Sequence, residues 1–330
     1  MPKILLICYV SAETGIGHLS RLLALGDYLL KENKVIPEFL IFGDLVKKKD
    51  LKSFKVHNFS FHADFYEITN NLIYSFKFEL LVFDIFENKK IKNIRELLLK
   101  IKSHNIPIIG IDCLKDHCDT LKLIWMPTFF DHSDNIKCKN IIKSGWDKYL
   151  IQKRYQNKQW LSGNKVLVLT GGSDITKLGD TWPSLIDKNL GKNSEVHWVK
   201  GPLANRFILP NDQRLKWIIH DSPEQLDEII LNCNYAITVF GISFFEVIQY
   251  GIPTVVFSAY KNKDEMELQA LKKLEVAIVA KDYYTAIDEL IYLMNNNNTA
   301  LKYSNNSINK MSINGVKKFA FEIYNLININ

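Results

Sequence analysis

The sequence is poor in the features that would set it apart from ordinary globular proteins. Its 330 residues include five cysteines, Cys8, Cys113, Cys118, Cys138 and Cys233, and no CxxC pair. An odd count without paired spacing argues against a disulfide framework and predicts reduced thiols. The stretch CLKDHC brings Cys113, His117 and Cys118 together, but no second ligand pair follows at zinc spacing, so a structural role is preferred there. Long apolar runs are also missing. ILLICYV, residues 4–10, is too short to span a membrane and carries no signal-peptide cleavage pattern, which predicts a cytoplasmic chain. Charge of one sign is scarce, with 42 basic against 36 acidic side chains and a net charge of +6. The one basic cluster, VKKKDLKSFK (46–55), reads first as a solvated face and second as a peripheral contact for anionic lipid or polymer. No nucleic-acid-binding motif accompanies it, so nucleic acid is not an expected partner.

Apolar residues make up 47% of the chain, enough for two cores at this length. Short apolar runs recur, each followed by a helix-length amphipathic stretch: KILLICYV then LSRLLALGDYLLKE, PEFLIFG, FELLVFDIF then NIRELLLKIKSH, and IPIIGID. Strands alternating with helices imply parallel pairing, because a parallel crossover needs a dozen or more residues. A doubly wound α/β domain is therefore expected over residues 1–160. After the polar stretch KRYQNKQWLSGNK (153–165) the rhythm restarts with VLVLTGG, EVHWVKG, LKWIIHDS, YAITVFG, IPTVVFS and VAIVAK, predicting a second α/β domain over residues 161–330. The polar NNNNTALKYSNNS stretch from Asn295 reads as a loop or frayed helix end. The final amphipathic segment, VKKFAFEIYNLI, is expected to pack back on the body. Open parallel sheets bind ligands outside the carboxyl ends of their strands, so the glycine-rich turns that follow strands are the places to look.

Three such turns stand out. In TGIGHLSR (14–21), Gly15 and Gly17 allow a sharp turn and close backbone approach, and the helix that follows offers unpaired N–H groups to an anion. The pattern is not GxGxxG, and no acidic residue about 20 positions on ends a neighbouring strand, which argues against a nicotinamide cofactor. His18 stands at the helix start, where the dipole favours a neutral imidazole suited to act as a base; simple capping or packing is the alternative. In LTGGSDITK (169–177), Ser173 or Asp174 is a candidate cap, while the pair Gly171 and Gly172 suggests close approach to a ligand. In ITVFGISFFEVIQYGIP (237–253), Gly241 follows a strand, Ser243 can offer a hydroxyl to phosphate, and Glu246 can accept both hydroxyls of a ribose. A capping box from Ser243 to Glu246 has the same spacing, and the two readings stay open.

GIGHLSR, GGSD and FGISFFEVIQYGIP, in this order and at these separations, resemble nucleotide-sugar enzymes of the GT-B fold, in which two Rossmann-like domains face a central cleft. Within that group the chain is similar to the hydrolases of the pseudaminic acid pathway, which cleave UDP from a diacetamido-trideoxy-altropyranose. KFELLVFD, IIGIDCLKDHCD, SGWDKYLIQKRY, LTGGSDITKL and KNKDEMELQALKK each have a counterpart there in the same order. The resemblance implies that His18 is the catalytic base and that Asn262, in YKNK, stands opposite it. It also implies that Gly241, Ser243 and Glu246 hold phosphates and ribose, that Gly15, Gly17, Gly171, Gly172 and Ser173 line the cleft, and that neither metal nor cofactor takes part. Three positions depart from the hydrolase pattern. Tyr9 replaces an aspartate, Phe86 replaces a tyrosine, and Lys263 replaces a glutamine; these positions shape the sugar pocket and the place of the water.

The resemblance thus predicts an inverting, metal-independent nucleotide-sugar hydrolase that releases UDP and free sugar in surface-glycan or nonulosonic acid biosynthesis. The alternative is an inverting GT-B glycosyltransferase with a saccharide or lipid-linked acceptor, favoured by the changed pocket residues and the basic segment. A catalytically silent nucleotide-sugar-binding protein is the third reading, and the presence of His18 and Asn262 speaks against it.

Overall fold

The protein, as a computed structural model, is described for residues 1–44, 50–85, 91–129, 138–204, 207–260, 264–311 and 314–328. Of the basic cluster, residues 46–49 lie outside the described residues, as do Phe86, Asn262 and Lys263. The chain divides into two compact units, Met1–Gln152 with Ile313–Asn330, and Lys153–Ser312.

The first unit opens with β1 (Lys3–Val10), α1 (Gly17–Glu32), β2 (Ile36–Gly43), β3 (Lys55–Phe59), α2 (Phe65–Ser75) and β4 (Leu80–Asp84). It continues with α3 (Ile94–Ser103), β5 (Ile108–Ile111), β6 (Leu123–Met126) and β7 (Ile142–Ser144). The sheet order is β3-β2-β1-β4-β5-β6-β7, and every pairing is parallel. Residues 4–10 of β1 are all buried, as expected of a central parallel strand covered on both faces. The order reverses between β1 and β4, so the carboxyl ends of these two strands flank the crevice where such sheets bind ligands.

The second unit repeats the plan with β8 (Lys165–Leu169), α4 (Leu178–Asn189), β9 (Glu195–Lys200), β10 (Lys216–Asp221), α5 (Asp227–Leu231) and β11 (Tyr235–Val239). There follow α6 (Ile242–Ile248), β12 (Thr254–Phe257), α7 (Glu265–Leu274), β13 (Ile278–Val279), α8 (Thr285–Asn295) and α9 (Asn297–Lys310). The order β10-β9-β8-β11-β12-β13, again wholly parallel, reverses between β8 and β11. The turns after these two strands are LTGGSDITK and FGISFFE.

The asparagine-rich stretch corrects the loop expectation, because it forms the helix α9. Tertiary contact overrides the weak helix propensity of asparagine here. Ala300, Ser304 and Ser307 are buried, and Gly251 lies so close to the helix that a Cβ there would meet Ile308 Cδ1 at 2.6 Å and Ser304 Oγ at 3.2 Å. Asn306 Nδ2 and Lys310 Nζ donate to the carbonyls of Glu275 and Leu274, both at 3.0 Å, satisfying acceptors at the end of α7.

The last helix, α10 (Gly315–Leu326), completes the first unit. Gly315 lies so close to the loop after β7 that an added Cβ would fall 2.2 Å from the Tyr149 carbonyl oxygen. Phe319 then stacks on Trp125 at a centroid distance of 4.7 Å, and Trp125 Nε1 donates to the Lys148 carbonyl at 2.7 Å. Phe319→Ala should therefore destabilise the first unit by about 3–5 kcal/mol, the usual cost of deleting a buried aromatic ring. A urea midpoint for the full-length variant within error of the parent would refute this anchoring.

Candidate functional site

The turn between β1 and α1 is held by its own short side chains. Gly15 N–H donates to the Ser11 carbonyl at 2.8 Å, and Ser11 Oγ accepts from the N–H groups of Glu13 and Thr14 at 3.2 and 3.1 Å. Gly15, at φ +69°, supplies the left-handed residue that brings the chain round to the helix. Gly17 is the first helical residue and His18 the second, and the apolar N-cap Ile16 makes no side-chain hydrogen bond to the helix end. His18 therefore does not cap.

It meets the end of β4 instead. His18 Nδ1 lies 2.6 Å from Asp84 Oδ1, while Arg21 Nε donates to Oδ2 at 2.9 Å and Arg21 Nη2 donates to Oδ1 at 2.5 Å. The side chain of Asp84 is 0% exposed, against 16% for His18 and 12% for Arg21. Burial opposes ionisation of this carboxyl, yet the charge of Arg21, together with His18, holds it below the usual carboxylate range. An ionised carboxylate only accepts hydrogen bonds. We accordingly assign the hydrogen of neutral His18 to Nδ1, which leaves the lone pair on Nε2. Arg21 Nη2 also lies 3.0 Å from His18 Nδ1, and since both then carry hydrogen, that approach is a proximity rather than a bond. An imidazole held in this way can accept a proton at Nε2.

Asp84 and Arg21 were not among the residues singled out from the sequence. Each had a signal: Arg21 follows His18 at the i, i+3 spacing that shares a helix face, and Asp84 is a carboxylate ending the apolar run LLVF. Tyr9, expected to line the sugar pocket, is 1% exposed and sits in the core among Phe42, Phe61 and Phe65, with ring centroids 5.4, 5.4 and 5.7 Å away. Among the described residues no three His, Cys, Asp or Glu side chains gather as a metal site, Cys113, His117 and Cys118 included.

In the second unit the paired glycines meet backbone. Gly171 is at φ +86°, and a Cβ on Gly201 would lie 2.4 Å from the carbonyl oxygens of both Gly171 and Gly172. Leu203 N–H donates to the Gly172 carbonyl at 2.9 Å, so the turn after β8 and the turn after β9 are pressed together. Of the two candidate caps, Asp174 takes the role. Its carboxylate accepts from the N–H groups of Leu178 and Gly179 at 2.9 and 2.8 Å, occupying the start of α4 with a negative charge. An anionic ligand is thereby disfavoured at that helix end. Ser173 stays half-buried beside it.

At α6 the structure bears on the capping box between Ser243 and Glu246. Gly241 is the N-cap and makes no side-chain cap bond, and Ser243 is the second residue inside the helix. A capping box needs its serine at the N-cap, so this spacing is not one. Phe244, Phe245, Val247 and Ile248 are buried, whereas Ser243 and Glu246 share the half-exposed face at i, i+3.

No family model matches the chain. An uncharacterized protein of Methanocaldococcus jannaschii is 28% identical over 290 residues, which are 80% of this chain and 57% of that protein, so the chain spans little more than half the length of this relative. Among solved structures, MurG of Acinetobacter baumannii superposes with a TM-score of 0.62 at 11% identity, covering 98% of this chain and 100% of that one. MnaA of S. aureus, in a structure with UDP, gives 0.64 at 12% identity over 100% and 98% of the two chains. UGT2 of Phytolacca americana, complexed with UDP-2fluoro-glucose and pterostilbene, gives 0.64 at 14% identity over 99% and 100%. The fold is GT-B, with parallel α/β units of seven and six strands.

The His18, Arg21 and Asp84 trio predicts an acid-sensitive component of stability. The folded carboxyl of Asp84 titrates below its unfolded value of about 3.9, so its contribution is fully present above that pH and is lost as pH falls through the folded value. Asp84→Asn leaves Arg21 without its buried counter-ion and should cost about 3–5 kcal/mol at neutral pH. The gap between variant and parent should narrow below about pH 4. Denaturation curves that differ by the same amount from neutral pH down to strong acid would contradict the assignment.

Proposed function

We propose that this chain is an inverting, metal-independent nucleotide-sugar enzyme, with His18 as general base and water as the first choice of attacking group. The observation that carries the reading is the His18 imidazole bound through Nδ1 to the ionised, fully buried Asp84, with Nε2 left to take a proton. In the reaction, a water oxygen bonds to the anomeric carbon from the face opposite the leaving group and gives its proton to Nε2. The anomeric C–O bond to phosphate breaks, and UDP departs with the bonding electrons. General-base catalysis contributes roughly 10²–10⁴-fold, and stabilisation of the departing diphosphate must supply much of the rest.

The proposal assigns base chemistry to the first unit and nucleotide binding to the second. Gly241 and Ser243 at the start of α6 would meet the phosphates, with Glu246 on the same helix face accepting the ribose hydroxyls. Asn262 enters only through the resemblance to the pseudaminic-pathway hydrolases. UDP appears in the solved structures of MnaA and, as a fluoro-glucose conjugate, of UGT2, which share this fold. A UDP-linked amino sugar and a cytoplasmic setting complete the reading.

A second reading, transfer to a hydroxyl of a saccharide or lipid-linked acceptor, draws support from Tyr9. Where the hydrolases carry an aspartate, this chain has a ring buried in an aromatic cluster, so one group able to hold a water is gone.

Incubation with a panel of nucleotide sugars, followed by proton NMR, separates the two. A hydrolase should release inverted free sugar together with UDP at about 1–10³ per second at saturation with no acceptor present. Slow sugar release from every donor, with rapid UDP release only on adding a saccharide or lipid-linked acceptor, would establish the transferase instead. His18→Ala should lower turnover by about 10²–10⁴-fold while leaving UDP affinity unchanged; loss of both together would remove His18 from the role of base.

Glu246→Ala should weaken UDP binding by about 1.5–3 kcal/mol, the range for hydrogen bonds to a charged group. Unchanged affinity by calorimetry in a folded variant would remove Glu246 from the nucleotide site.

A further inference from the structure

His18 can act as a base only if Nε2 bears a lone pair, and burial makes that state hard to reach for a histidine and an aspartate alone. An Asp–His pair is neutral with the aspartate ionised and the imidazole doubly protonated, or with the aspartic acid donating to Nδ1 and the imidazole hydrogen on Nε2, and both put a hydrogen on Nε2. A third neutral form, with the acid proton on the oxygen turned away from the ring, frees Nε2 only by giving up the carboxylate charge that orients the imidazole. The form with an ionised carboxylate and a free Nε2 has a net charge of −1, which burial disfavours unless a counter-charge or further hydrogen bonds offset it.

Arg21 changes this balance. Its fork reaches both oxygens of Asp84, Nε to Oδ2 at 2.9 Å and Nη2 to Oδ1 at 2.5 Å, leaving Oδ1 to accept from His18 Nδ1 at 2.6 Å. With a permanent cation in the trio, the electrically neutral form is Arg⁺, Asp⁻ and an uncharged imidazole with its hydrogen on Nδ1. We propose that Arg21 is a positioning residue that arms His18, its fixed charge making the Nε2 lone-pair form the neutral state of this buried trio.

Among the described residues the ion pairs of Asp84 are with His18 and Arg21, and of these Arg21 is the permanent cation. Titratable groups that act on the trio include Cys8 of β1, Cys113 just beyond β5 and Asp112 beside it. Burial pushes both thiols up, so they stay neutral. Asp112 is acidic and pairs with Lys115 at 3.1 Å. The spacing is equally specific: His18 and Arg21 lie one turn apart on α1, and Asp84 ends the strand next to β1 at the point where the sheet order reverses.

The proposal rests on His18 being the base, and the test has a readout that needs no substrate. Nitrogen-15 NMR of the full chain labelled in histidine, at about pH 8 and with the His18 signals assigned by comparison with His18→Ala, reports directly whether Nε2 carries hydrogen. The parent should show an unprotonated Nε2. Arg21→Met, and equally Arg21→Gln, which keeps a hydrogen-bond donor but not the charge, should show a protonated Nε2 and a fall in kcat of about 100-fold or more with KM unchanged. Arg21→Lys, which restores the charge without the fork, should recover part of the unprotonated signal. An unprotonated Nε2 in a folded Arg21→Gln or Arg21→Met variant overturns the proposal, as does a protonated Nε2 in the parent. Should Arg21→Met fail to fold, the Gln and Lys variants still decide it. If the protein turns over no nucleotide sugar the proposed function fails, while the ring-nitrogen signals still decide the role of Arg21.

Discussion

The ion pair between Asp84 and Arg21 is the constraint on which the candidate active centre depends. A carboxylate at the end of β4 has no access to water, so its charge exists only because α1 delivers a guanidinium to it. α1 can do so only because the turn before it is tightly closed by Ser11, Thr14 and Gly15, which sets where the helix begins. One residue of slippage at that turn would rotate His18 and Arg21 by about 100° around the helix axis and separate both from Asp84. Local turn chemistry, helix phase and buried electrostatics therefore have to agree at a single place.

How much of this could be read from the sequence varies with the range of the interaction. The alternation of apolar runs and amphipathic stretches revealed the doubly wound plan because central parallel strands such as KILLICYV are apolar throughout. The short edge strands β3 and β7 were harder to see, since KVHNF and IKS face water on part of their surface and lack a continuous apolar signature. α9 was missed for a different reason. Nothing local distinguishes NNTALKYSNNSINK from a loop; its helix exists because Ser304 and Ile308 fit against Gly251 and Asn306 and Lys310 bind the end of α7, and that fit is tertiary.

The same division runs through the site. His18 was readable from its place after two glycines at a strand-to-helix turn, a purely local signal. Its partner Asp84 is 66 residues away in the chain and becomes a partner only through the pairing of β1 with β4. The S-x-x-E spacing of Ser243 and Glu246 was ambiguous in the opposite sense: two readings were compatible with it, and the phase of α6, which starts two residues too early for a serine cap, removes the capping box.

The two sheets also share an arrangement at the ends of their strands away from these turns. In the first unit Glu38, on β2, is bound by Lys3, Lys55 and His57 from the strands on either side. In the second, Glu195, at the start of β9, is bound by Lys165, Lys216 and His197, and Lys216 and His197 hold its carboxyl down to about 2. Each glutamate thus ties the first, second and third strands of its sheet together by charge at the amino ends, where a register slip would part the inter-strand pairs together. At the carboxyl ends Lys200 of β9 and Asp221 of β10 pair at 3.6 Å in the second sheet, whereas the turn after β1 in the first is left to serine, threonine and glycine. In the first unit that freedom is what lets a buried carboxylate take its counter-ion from a helix rather than from a neighbouring strand, and so present an imidazole instead of a closed salt bridge.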